Sequence, residues 1–150
     1  MTHLIQIFER SPELVSRLTA RLRPDDTPED VIEKARAILA SMDERDLVAT
    51  LNAHPRIGAD ARSLSDLSAR EQGTDADPRV IEELMRLNQQ YERAFGFRFV
   101  VFVNGRTKAQ ILPVFRERST RSRDAELRTG IEEFLAISLD RLKKMKAAAR

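Results

Sequence analysis

Apolar residues recur at helical spacing over most of the chain, and polar stretches bearing proline or glycine separate the runs. A first stripe, Leu4, Ile7, Phe8, Leu14, Val15 and Leu18, is interrupted or restarted at Ser11-Pro12, where the proline suits a first helical turn. The stretch RPDDTPED (23–30) is a loop whose Thr27 caps a second helix, with Pro28 at its first position and Val31, Ile32, Ala35, Ile38 and Leu39 along its apolar face. Asp43 to Ala53 forms a third helix. Ser68 or its neighbourhood opens a short fourth, GTDADPR (73–79) is a polar break, and Ile81 begins a long fifth helix that reaches Phe95. In FGFRFVVFVNGRT (95–107) the helical period is lost: Phe99 to Val103 is a β-branched and aromatic run, short and extended, closed by an Asn-Gly turn. Thr107 caps a further helix through Ile111, Leu112 and Phe115, in which Pro113 costs a hydrogen bond and bends the axis. A last helix carries Leu127, Ile131, Phe134, Leu135, Ile137, Ser138, Leu142 and Met145 and gives way to a basic tail. The pattern predicts an all-α, single-domain bundle over residues 1–150 with one short extended segment near 98–104.

Composition narrows the chemistry. At 150 residues, 41% hydrophobic and 33% charged, the chain suits one soluble domain with a real core. No apolar run approaches the roughly 20 residues that span a bilayer, and Met1 to Ala20 lacks the pattern of a signal peptide. The absence of cysteine removes disulfides, thiolate nucleophiles and cysteine metal sites together, and no peroxisomal ending follows AAAR, so a cytoplasmic location is expected. Twenty-six basic residues face 24 acidic ones for a net charge of +2, which demands neither nucleic acid nor a membrane surface. Five glycines form no dinucleotide fingerprint or P-loop, and two histidines cannot build a multi-histidine metal centre, so neither metal nor cofactor is expected.

Of the two histidines, His3 lies at the terminus and His54 stands directly before Pro55, a position that ends the third helix at about Ala53. At a helix carboxyl end the dipole favours imidazolium, which raises the value above its usual ~6.5 and leaves a proton donor near neutral pH. A plain cap on the terminal carbonyls is the simpler role from local sequence alone. In SAREQ (68–72), spacings of three and four gather the Ser68 hydroxyl, the Glu71 carboxylate and the Gln72 amide at a helix start; the same spacing is also a capping box. Asn88 sits on the apolar stripe of the fifth helix and needs a partner, and Arg141 faces the packed side of the last helix, either snorkelling or aimed at a carboxylate or ureido oxygen.

The ordered fragments AHPRIG, S-x-x-EQ, LMRLNQQY, FGFRFVVFVNGRTKAQIL and IEEFLAISLDRL, over roughly residues 50 to 145, resemble the 2-oxo-4-hydroxy-4-carboxy-5-ureidoimidazoline (OHCU) decarboxylase family. FERSP (8–12) is similar to that family's early segment, with Arg10 where a histidine often stands. The resemblance implies an all-α, homodimeric enzyme that converts OHCU to (S)-allantoin in urate breakdown with no cofactor. It also implies His54 as the catalytic acid/base with Glu71 beside it. Substrate contacts fall on Pro55, Ser68, Gln72, Arg141 and the backbone of Phe99, Val100, Val101, Phe102 and Val103. A Glu71 carboxylate near His54 would stabilise imidazolium further. Arg98 replaces a common proline and brings a cation near the pocket, and GTDADP replaces a small-residue stretch after EQ. These departures keep a related ureido or imidazoline acid open as substrate. A second class of function also stays open: a non-catalytic helical module that uses RERSTRSR (116–123) and RLKKMKAAAR (141–150) to bind an acidic protein or RNA.

Overall fold

The computed structural model describes residues 2–59, 65–73 and 77–148. Among these, eight helices follow one another: α1 (Thr2–Ile7), α2 (Pro12–Thr19), α3 (Pro28–Ala40), α4 (Glu44–Asn52), α5 (Asp66–Gln72), α6 (Pro78–Phe95), α7 (Lys108–Arg118) and α8 (Arg123–Ala148). No described residue lies in a strand, and no described helix is long and apolar enough to cross a membrane. The all-α architecture read from periodicity is the one observed.

The caps explain most boundaries. Thr27 and Thr107 each form a full capping box, with Asp30 and Gln110 respectively, and the Asp43 carboxylate accepts from the backbone of Asp46. Gly96 ends α6 at φ +82°, a left-handed conformation that costs glycine little. The first apolar stripe restarts at Pro12 as its sequence suggested, and the chain turns sharply just before it at Glu9 and Arg10, both at positive φ. Two expectations need adjustment. The long fifth stretch begins at Pro78, capped by Asp77, so the end of the polar break belongs to the helix; its residues 74–76 lie outside the described ones. The last helix continues to Ala148 where a basic tail was expected.

α8 is the spine, packing against α1, α3 and α4, while α6 pairs with α7. A single core joins Phe8, Leu18, Leu39, Leu51, Leu84, Tyr91, Phe99, Phe115 and Phe134. The non-helical stretch after α6 contributes Phe97, Phe99, Val100, Val101 and Val103 to that core, all buried. Its backbone makes no ladder, so side chains must hold it. Arg118 does so from α7: its Nη1 donates to the Val100 carbonyl at 2.7 Å and its guanidinium covers the Phe99 ring at 4.3 Å. Arg118 is fixed in turn by the fully buried Glu126 of α8 (2.9 Å), which also accepts the Tyr91 hydroxyl (2.6 Å). Burial, and then the hydrogen bond to Glu126, keep that phenol protonated far above its ordinary range.

α4 and α8 approach closely at Gly130, where an added Cβ meets Leu51 Cδ1 at 3.0 Å. Gly130→Val is expected to lower the unfolding free energy by about 1–3 kcal/mol through overpacking, read from urea denaturation. An unchanged midpoint would mean the α4–α8 seam has slack.

Candidate active site

The third expected helix ends where the sequence implied. Ala53 caps α4, His54 donates its N–H to the Leu51 carbonyl, and Pro55 to Gly58 form a tight loop. The loop is held from three sides. Gln72 donates to the Arg56 carbonyl (3.2 Å) and accepts from the Gly58 N–H (2.9 Å), and Asn88 donates to the Ile57 carbonyl (3.0 Å). Arg98 donates to the carbonyls of Asn52 (2.9 Å) and His54 (3.0 Å), while its own N–H reaches the Asn52 side chain. Arg98 therefore serves as the C-terminal cation of α4 and does not add a charge inside the pocket. Asn88 thus has a partner for its amide N–H, while its side-chain oxygen is buried without one. The replacement of the small-residue stretch lies largely at 74–76, outside the described residues.

One pocket brings the expected residues together: His54, Pro55, Ser68, Glu71, Gln72 and Phe99 to Val103 line it, joined by Ile57 and Ile137, which sequence reasoning did not name. The His54 ring stands edge-on to Phe134 at 5.1 Å, and its Nε2 is buried without a hydrogen-bond partner in the protein. Burial first, and the nearby Arg141 cation second, push its pKa down to about 3. This corrects the expectation of an imidazolium stabilised at a helix end: desolvation in an apolar cage outweighs the dipole. His54 is neutral at rest.

Glu71 is the second correction. Its carboxylate is taken by Arg141 in a two-pronged ion pair, Nε to Oε2 at 2.8 Å and Nη2 to Oε1 at 2.7 Å, and not by the imidazole. Arg141 is itself almost completely buried and does not line the His54 pocket. Its Nη1 donates to Glu9 (2.9 Å) and to the carbonyls of Gln6 and Ile7, and its Nη2 to the Ser68 hydroxyl (3.2 Å). Burial alone would weaken its charge, but Glu71 and Glu9 outweigh it and leave the guanidinium harder to deprotonate than usual. Ser68 is not the cap of α5; Ser65 is, accepting from the Ser68 N–H, while the Ser68 hydroxyl donates to Glu9 at 3.1 Å. Gln72 spends its amide on the histidine loop. Ser68, Glu71 and Gln72 thus reach the pocket wall already engaged by protein groups.

Sequence reasoning missed Glu9, Arg118 and Glu126. Glu126 carried a readable sign: it precedes Gly130, Phe134 and Ser138 at steps of four, on the buried face of α8. The basic stretches offered as a binding face are largely tied up. Arg118 is in the core, Arg121 pairs with Glu117, Arg123 with Glu44, Lys143 with Glu29 and Lys144 with Asp140.

The described residues define an all-helical domain in which a buried histidine, kept neutral by its surroundings, lines a small pocket. The OHCU decarboxylase family model matches residues 1–143, and the chain belongs to that family. It is 31% identical over 140 residues to a uric acid degradation bifunctional protein of Bacillus subtilis (strain 168), covering 91% of this chain and 28% of that protein. To the 2-oxo-4-hydroxy-4-carboxy-5-ureidoimidazoline decarboxylase of Haloferax volcanii it is 28% identical, covering 91% of this chain and 83% of the relative. A crystal structure of OHCU decarboxylase in the presence of (S)-allantoin superposes with a TM-score of 0.74 at 26% identity, covering 90% of this chain and 91% of that one. The chain spans 28% of the length of each of the two bifunctional Bacillus relatives it matches.

Because the folded value of His54 lies below its unfolded value of about 6.5, the unfolded chain takes up this proton first as pH falls. The stability tied to the neutral imidazole is complete above about pH 6.5 and is lost progressively from there towards pH 3. The His54 ring signals in NMR should stay constant between pH 5 and 8; a titration midpoint near 6.5 would contradict the desolvated cage.

Proposed function

We propose that the chain is a cofactor-independent carboxy-lyase that converts OHCU to (S)-allantoin in urate catabolism, working in the cytoplasm as a homodimer. The observation that carries this reading is the buried, unpartnered Nε2 of His54 in a pocket where the Ser68, Glu71 and Gln72 side chains are already held by the protein. A decarboxylase that uses neither metal nor organic cofactor needs a substrate that accepts the electron pair left when carbon dioxide departs, and the conjugated ring of OHCU does so. The bond to the carboxylate carbon breaks, the pair moves through the ring onto its imine nitrogen, which takes a proton from solvent, and the hydroxyl proton is released as one proton is added to carbon on a single face.

A neutral imidazole suits this balance as a relay: it takes the hydroxyl proton and returns one to carbon. A bound carboxylate beside it, shielded from water, raises its pKa from the resting value towards the range useful for transfer. Glu71, fixed by Arg141, and the backbone of Phe99 to Val103, fixed by Arg118, orient the ureido and ring groups. With Arg98 occupied at the end of α4, nothing in the described pocket favours a different acid over OHCU.

The test generates OHCU in place from urate and follows both its decay and the chirality of the allantoin formed. Acceleration with an excess of the S enantiomer is expected, and His54→Asn should lose about 10²- to 10⁴-fold in rate and return racemate. Wild-type turnover in His54→Asn would remove the histidine from the reaction, and spontaneous-rate racemate with the wild-type chain would sink the proposed activity.

A further inference from the structure

We infer that Glu9 is a positioning residue for the reaction proposed above, an inference that rests on that reading. It holds one edge of the Arg141 guanidinium and the Ser68 hydroxyl, so that the opposite edge fixes Glu71 at the pocket wall.

Glu9 is 3% exposed and lies in the turn between α1 and α2. Oε1 accepts from the Ser68 hydroxyl at 3.1 Å, and Oε2 accepts from the Ser65 hydroxyl at 3.2 Å and from Arg141 Nη1 at 2.9 Å. One carboxylate thus ties the α1–α2 turn to α5 and to α8. The backbone that delivers it is unusual: Glu9 at φ +43° and Arg10 at φ +57° are successive non-glycine residues in left-handed conformations, which the L side chain disfavours. The Arg10 N–H reaches back to the Ile5 carbonyl at 2.9 Å to close α1, turning Glu9 inward while Arg10 stays exposed. Strain of this kind persists where its surroundings over-determine it, and here it places a charge beside a buried cation.

Charge arithmetic separates positioning from mere neutralisation. Arg141 already has a two-pronged partner in Glu71, so a second carboxylate is not needed to compensate its charge. What Glu9 adds is direction. A planar guanidinium gripped on both edges cannot rotate, and Ser68, bonded to both Glu9 and Arg141, is locked with it. Glu9 does not line the His54 pocket, so its effect must pass through Arg141, Ser68 and Glu71.

The test uses Glu9→Gln, which keeps shape and removes charge, and Glu9→Asp, which keeps charge and shortens the reach. For each variant kcat and KM on OHCU, the melting temperature, and hydrogen exchange of the Arg141 guanidinium by 15N NMR are measured. Glu9→Gln is expected to lose about 100-fold in kcat with KM within about threefold, as misplacement of catalytic groups produces, and to exchange at least about tenfold faster. Glu9→Asp should recover part of both. Wild-type kcat, wild-type exchange, or a kcat loss that merely tracks the unfolded fraction overturns the inference. Should Glu9→Gln fail to fold, Glu9→Asp decides by the same two readouts. A wild-type chain inactive on OHCU overturns the proposed reaction, and the exchange measurement still decides whether Glu9 holds Arg141.

Discussion

The guanidinium of Arg141 is the point at which the fold and the site meet. It sits on the spine helix, nearly sealed from water, and receives Glu9 from the turn after α1, Glu71 and Ser68 from α5, and the carbonyls of Gln6 and Ile7. Burying such a cation is costly, and only a complete set of oriented acceptors offsets that cost. Every donor edge that the geometry uses is therefore answered. α5 has just seven residues and stands between two polar stretches, so this cluster gives it an address that propensity alone would not supply. The same positive charge helps to keep His54 neutral.

A second buried arginine does the equivalent work across the pocket. Arg118, held by Glu126, takes the Val100 carbonyl and covers Phe99, and so defines a wall made of backbone that belongs to no helix and no sheet. The histidine loop is clamped separately, by Gln72, Asn88 and Arg98. Two ion-paired frames thus hold walls of the pocket that the desolvated imidazole lines, which is the kind of preorganisation the proposed reaction calls for. The polar groups that local sequence suggested as ligand contacts mostly serve this framing.

Much of the architecture was legible because helical periodicity and capping are local. Thr27-Pro28, Asp43, Thr107 and the run after Phe95 each announce their structure within a few residues. The location of the pocket was also legible, through His54-Pro55 and the S-x-x-EQ cluster. Connectivity was not. Whether Glu71 serves His54 or Arg141 depends on how α5 is rotated against α8, 70 residues away, which no local spacing encodes. The direction of the histidine shift failed for the same reason. A helix-end dipole can be read from sequence, whereas the apolar cage of Phe134 and its neighbours exists only after folding, and it dominates. Glu9 escaped notice because an acid beside Phe8 looks like a surface residue until the two left-handed residues turn it inward.

The central claim is that Arg141 and its carboxylates act as one unit, and a double-mutant cycle in unfolding free energy tests it most directly. Arg141→Met should cost about 3–5 kcal/mol, because it strands the buried Glu9 carboxylate together with the half-buried one of Glu71. Adding Glu71→Gln to that variant should cost nothing further or restore part of the loss, giving a coupling of about 1–3 kcal/mol. Two costs that simply add would mean the guanidinium and the α5 carboxylate stand independently, and the account of the site built on their union would be wrong.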